Sequence, residues 1–272
     1  MTFRDPERSF WFCLQLLAAC FSGLLVWILL SMILRVSIDD TLNVLKSESI
    51  LASIKLSVLT SSLSTAIATF LSVPIGYLLA RRSFAGKSAV EAVCSIPISA
   101  PPLVFGLGLL IFFQSAAGRF IETNLWAFTF QISGIVLCQS LISTAYFIQM
   151  MQAVFQAQPI RLEQISLTFG YRRWEAFAKV AIPQARQGIL IAVFTTWAHC
   201  MGVFGPILVF AGMVRGRTEV LSTTIWLELQ SGNLEAAIVA SLLLISVSVV
   251  VTATARRIQS SRRDSDDSDR TA

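Results

Sequence analysis

The chain has 272 residues, 55% of them hydrophobic and only 14% charged, with a mean hydropathy of +0.71. A soluble domain carries about 25% charged residues, so this composition rules against a soluble enzyme and points to an integral membrane protein. The net charge of +5 needs no nucleic acid to explain it, because basic residues gather at the ends of apolar runs.

In chain order, Met1–Ser9 is short and charged, with Arg4 and Arg8. Phe10 to Leu34 follows without a charge and is read as span one. It is too long for a signal-peptide core, and Ile33-Leu34-Arg35 is too bulky for a cleavage site. Arg35–Ser49 sets Asp39, Asp40, Lys46 and Glu48 beside Leu42 and Leu45, which predicts an outer loop with a short interfacial helix. Span two runs from Leu51 to Ala80, and Lys55 sits near one end, where its amine can snorkel to the headgroups. Along it, Ser57, Ser61, Ser64, Thr65, Ala68 and Ser72 form a stripe of small residues. Such a stripe lets helices approach closely or lines a path with hydroxyls, and the sequence leaves both open.

Arg81–Ser88 is a short basic loop. Span three, Ala89–Phe113, contains Pro97, Pro101, Pro102, Gly106 and Gly108. A broken helix is tolerated in lipid only where protein or water satisfies the freed backbone, so span three is a candidate wall of a pathway. Gln114–Gln131 is a polar and aromatic connection, and span four covers Ile132–Phe155.

A charged, amphipathic island follows over residues 159–189. Pro159 suits a helix start, and Leu162, Ile165, Ser166 and Phe169 then share one mostly apolar face. Gly170 supplies a left-handed helix end. A second short helix carries Trp174, Phe177, Ala178 and Ala181 on one face and a Glu175–Lys179 pair on the other. Pro183 is expected to break the pattern. The island is too polar to span and too apolar to be a solvated linker, so it predicts an element that seats in a protein groove.

Span five is expected at Ile189–Phe210, an interfacial or re-entrant stretch at Gly212–Gly232, and span six at Leu234–Ala255. Residues 256–272, ending in a charged run without apolar period, are expected to be a disordered tail. With the N-terminus cytoplasmic, fifteen Lys and Arg fall in inner segments and five in outer loops, Lys55 lying within span two. The bias predicts cytoplasmic termini and a cytoplasmic island.

Cys13, Cys20, Cys94, Cys138 and Cys200 are scattered through apolar spans with no C-x-x-C pair, and His199 is the only histidine, so no metal site is expected. His199 lies inside span five, where an ionisable residue is a functional candidate, or a core histidine satisfied by a backbone carbonyl. No Walker A, G-x-S-x-G or H-E-x-x-H motif occurs, and no catalytic residues are assigned.

The island resembles the cytoplasmic signature of ABC-importer permeases, EAA-x3-G-x9-I-x-L-P. Gln164-Ile165-Ser166 lie at EAA, Gly170 is the glycine, and Val180-Ala181-Ile182-Pro183 match I-x-L-P. Gln164 replaces the motif glutamate, with Glu163 one place earlier to take its role. Gly202-x-Phe204-Gly205, Phe210-Ala211-Gly212 and Thr218-Glu219 look like the molybdate/tungstate and sulfate branch, with His199 where that branch has Arg and Val203 where it has Glu.

The resemblance implies an all-α integral membrane protein of MetI-like fold. About six spans and a cytoplasmic coupling element between spans four and five make up a permease domain at 51–255, with residues 1–50 as N-terminal span and outer loop. It implies the transmembrane subunit of an ATP-driven oxyanion importer in the cell membrane, not itself an enzyme. The partners implied are a cytoplasmic ATPase dimer holding ATP and Mg, an external substrate-binding protein and a second permease copy. The resemblance implies no cofactor bound by this chain itself.

Arg161, Leu162, Glu163, Gln164, Ile165, Phe169, Gly170, Arg172, Arg173, Ile182 and Pro183 are the implied ATPase-coupling residues. Among them Leu162, Ile165 and Phe169 are expected to anchor the contact, and Glu163, Arg172 and Arg173 to set its polar specificity. Ser57, Ser61, Thr65, Pro101, Pro102, Thr196, His199, Gly202 and Gly205 are candidates for the path or gate. Other solutes, such as ferric iron, polyamine or thiosulfate, and a secondary transporter, stand as alternatives.

Overall fold

The computed structural model describes residues 6–271; residues 1–5 of the expected charged N-terminal segment and Ala272 lie outside the described residues. In chain order the helices are α1 (Pro6–Ile33), α2 (Ile38–Lys46), α3 (Glu48–Arg81), α4 (Lys87–Ser99), α5 (Pro102–Gln114), α6 (Ala116–Asn124) and α7 (Ile132–Ala157). They continue with α8 (Arg161–Thr168), α9 (Arg173–Ala176), a π-helical turn (Phe177–Ala181), α10 (Ile182–Gly202), α11 (Gly205–Phe210), α12 (Leu221–Gln230) and α13 (Leu234–Thr271). The all-helical expectation holds, and no strand occurs among the described residues.

Among the described residues, four helical stretches are long and apolar enough to cross a membrane: Phe10–Ile33, Glu48–Arg81, Ile132–Ala157 and Leu234–Arg257. The expected span three is a pair, α4 and α5, bent by 107°. Pro101 and Pro102 explain the bend: a proline restricts the residue before it to extended backbone, and Ala100 takes ψ 151°. The expected span five is divided as well, into α10 and α11, with Val203 and Phe204 between them.

Two other expectations change. Pro183 does not break the chain, because α9, the π turn and α10 run on as one helical path from Arg173 to Gly202. A π turn widens the helix by one residue, which absorbs the missing N–H and the ring of the proline just after it. Residues 256–271, expected to be a disordered tail, continue α13. No glycine or proline follows Gly232, so no local signal ends the helix.

The scaffold centres on α3 and α7, which run parallel. Ser64 Oγ donates to the Val136 carbonyl at 3.1 Å and Ser72 Oγ to the Thr144 carbonyl at 3.1 Å, a constant register of 72 residues. Gly76 lies directly against Met151, where any Cβ would collide. Within a bilayer, helices associate through close van der Waals packing and interhelical hydrogen bonds, because lipid is as apolar as the side chains. Three apolar clusters extend this seam: Phe113, Ile135 and Phe210 join α5, α7 and α11. Phe147, Phe155 and Ala185 join α7 to α10 around Ala68 of α3, and Met201, Leu221 and Ala240 join α10, α12 and α13. By contrast, α1 buries none of its apolar window.

Candidate coupling element and membrane cavity

The island folds as α8, a turn and α9 feeding the π turn. Gly170 makes the turn at φ +89°, a left-handed conformation that costs an L-residue about 1–2 kcal/mol. The Tyr171 N–H donates to the Ser166 carbonyl at 3.1 Å and the Gly170 N–H to the Leu167 carbonyl at 3.1 Å, so the end of α8 is satisfied locally. Arg172 opens α9 with its N–H donated to Glu175 Oε2 at 2.8 Å. That bond holds the Glu175 carboxyl below its ordinary range, with burial opposing and Lys179, 3.4 Å away, adding to it.

The side chains that fix α8 face inward and are polar. Glu163, 5% exposed, is the centre. Arg81, at the end of α3, reaches Glu163 Oε1 through Nε at 2.9 Å and Nη2 at 2.7 Å, and the Tyr77 hydroxyl donates to Oε2 at 2.8 Å. Arg81 Nη1 also donates to the Gln158 carbonyl at 3.2 Å, where α7 ends. Tyr77 in turn packs on Phe155 of α7 and Phe177 of the π turn, at ring centroid separations of 5.3 and 4.6 Å. One cluster therefore binds α8 to α3, α7 and the start of α10. Glu163 is not the outward specificity determinant that the sequence suggested. A carboxylate beside a guanidinium and a phenol gains charge-assisted bonds inward that no solvated position offers.

The large apolar side chains Leu162 and Ile165 of α8, Phe169 at its end and Trp174 of α9 face out, while Leu167 is half-buried and Ala176 buried. Leu162 and Ile165 are each 49% exposed, Trp174 62% and Phe169 81%. Arg161, Gln164, Arg172 and Arg173 are exposed around them. Of the remaining two coupling candidates, Ile182 is half-buried and Pro183 exposed. An apolar patch with a polar rim, on an element held by a buried ion pair, has the anatomy of a docking face.

The path candidates separate into two groups. Ser57, Ser61, Thr65 and Thr196 are buried between helices. Ser57 Oγ accepts the Leu221 N–H at 2.7 Å, and Thr65 Oγ1 donates to Cys200 Sγ at 3.6 Å. Cys200 Sγ donates to Ser143 Oγ at 3.0 Å, and its carbonyl accepts from Gln139 Nε2 at 3.0 Å. Here the small stripe serves close packing. By contrast, Pro102, His199, Gly202 and Gly205 line one cavity of about 450 Å³ with Ile142, Ala198, Val203 and Phe204. Pro101 lies exposed at the bend beside it. The His199 ring lies tilted against Tyr146 with centroids 4.3 Å apart, and its Nε2 is buried without a hydrogen-bond partner.

Residues 72–264 match the family of binding-protein-dependent transport system inner membrane components. The chain belongs to this family. It is a permease component, and ATP hydrolysis falls to a separate subunit. A probable molybdenum ABC transporter permease of Haloferax volcanii is 31% identical over 203 residues, covering 75% of this chain and 73% of that one. The molybdate/tungstate permease WtpB of Thermococcus kodakarensis is 33% identical over 162 residues, 60% of this chain and 61% of its own. The permease fold also recurs in a bacterial alginate ABC transporter, at TM-score 0.74 and 17% identity, over 94% of this chain and 96% of that one. The inward-facing MetNI methionine transporter matches at TM-score 0.60 and 18% identity, over 78% and 97%.

Arg81 and Tyr77 were not among the sequence candidates for the permease's coupling site. The one available signal was a basic residue ending span two, which reads equally as a membrane-flanking charge.

Proposed function

We propose that this permease moves a molybdate- or tungstate-type oxyanion from an external binding protein into the cytoplasm, as a pair of copies driven by a cytoplasmic ATPase dimer. The observation that carries the reading is the outward apolar face of Leu162, Ile165, Phe169 and Trp174 on a helix fixed from behind by Glu163. That face seats in the ATPase. When ATP closes the ATPase pair, α8 is displaced, and the Glu163–Arg81 link and the Tyr77–Phe177 contact carry the displacement to α3 and α10. Both termini and α8 lie on the cytoplasmic side. The cavity at Pro102, His199, Gly202 and Gly205 belongs to the path. The oxyanion class rests on the similarity to molybdenum and molybdate/tungstate permeases.

The test is reconstitution of the chain with its ATPase and binding protein in liposomes, followed by uptake of labelled tungstate with sulfate and thiosulfate as competitors. ATP-dependent uptake blocked by molybdate and lost with the ATPase supports the reading. Uptake that persists without ATP, or thiosulfate transport unaffected by molybdate, refutes it.

A further inference from the structure

Below the cavity, α4 and α7 run antiparallel and meet through polar side chains one turn apart. Gln152 Nε2 donates to Glu91 Oε1 at 2.7 Å, and Gln149 Nε2 to Ser95 Oγ at 3.2 Å. One turn nearer the cavity, α4 carries Ser99 and α7 carries Tyr146, whose ring lies tilted against His199. Ile142, one turn further along α7, lines the cavity together with Pro102. Residues 142, 146 and 149 fall at i, i+4 and i+7, one face of the helix. On this face Tyr146, Gln149 and Ser99 are exposed. Exposed amides and hydroxyls on a membrane span face protein or water, not lipid. The outer face of α3 gives the contrast, since Leu59, Leu63 and Phe70 there are exposed and apolar.

We propose that this polar face of α4 and α7, which leads to His199 of α10, is the inward lane by which the solute leaves the cavity for the cytoplasm. The proposal rests on the importer reading and adds the residues that wall the exit. Their chemistry suits a tetrahedral oxyanion in transit. Tyr146, and Gln149 through the amide hydrogen not given to Ser95, present neutral donors, which hydrogen-bond an anion without trapping it as a fixed cation would. The one carboxylate on the lane, Glu91, is masked by the Gln152 amide and by Lys87 Nζ at 3.8 Å.

The experiment uses the assembled transporter in inside-out vesicles. In a variant whose five native cysteines are replaced and whose uptake is retained, Gln149→Cys is compared with Phe70→Cys for labelling by an impermeant anionic thiosulfonate. The expected result is labelling of Gln149→Cys at least about tenfold faster, slowed by millimolar tungstate. Equal rates overturn the proposal. In the native background, Gln149→Leu is expected to cut uptake about tenfold while the ATPase still co-purifies. Unchanged uptake overturns the proposal independently of the cysteine series. Failure of the parent transporter to move tungstate, with Gln149→Cys still labelled from the cytoplasmic side, removes the oxyanion reading and leaves the lane.

Discussion

Arg81, the last residue of α3, and Glu163, in the first turn of α8, are 82 residues apart in sequence and form an ion pair at 2.7 Å, with side chains only 9% and 7% exposed. Buried pairs contribute little net stability when intact, but losing one partner leaves an uncompensated charge and costs about 3–5 kcal/mol. This pair therefore fixes where α8 sits more than how stable the protein is. Glu163→Ala is expected to detach α8 and leave ATP hydrolysis running without uptake. The exchange Arg81→Glu with Glu163→Arg should recover part of the coupling. Uptake and hydrolysis are measured together in liposomes, and wild-type coupling in Glu163→Ala would refute the role.

Phe169 and Trp174 touch little within the chain, so Phe169→Ala and Trp174→Ala should leave the melting temperature unchanged. Aromatic anchors at interface centres are worth about 2 kcal/mol or more, roughly 30-fold in affinity. The ATPase retained by each variant after detergent purification is the readout. Undiminished retention would place the docking face elsewhere.

Gly170 has open space around it but a φ of +89°. Gly170→Ala is thus expected to cost about 1–2 kcal/mol through backbone strain alone. Gly170→Asn, which tolerates that conformation better, should cost less. Equal melting temperatures for all three proteins would show that the turn carries no strain.

Glu175 supplies a pH test. Its carboxyl is depressed in the folded chain, through the Arg172 N–H first. A depressed carboxylate contributes stability above its unfolded pKa and loses it as pH falls through the folded value. At neutral pH the Arg172 amide should therefore exchange more slowly in wild type than in Glu175→Gln. The difference should fade once pH falls below the ordinary glutamate value of 4.5. A gap that is independent of pH would rule the bond out.

Gly76 meets Met151 with no room for a Cβ. Gly76→Leu should force α3 and α7 apart and abolish a folded, detergent-stable protein, whereas Gly23→Leu, with nothing nearby on α1, should be silent. Size-exclusion profiles of the two variants decide the matter.

The sequence by itself determined the apolar spans, the proline break of span three, the Gly170 turn and the amphipathic island. Each is set by local chain chemistry: hydropathy over about 20 residues, the proline ring and φ at glycine. It also placed Leu162, Ile165 and Phe169 together on one face, because helical periodicity is local. What periodicity leaves undecided is which face points inward. Only the tertiary structure showed that Glu163 turns in and the apolar residues turn out, since that depends on Arg81 and Tyr77 arriving from α3. The same reason separates Ser57 and Thr65, closed between helices, from His199 and Gly202, open on a cavity. All four are small or polar residues in apolar spans, and only the neighbouring helix decides whether such a group packs or lines a path.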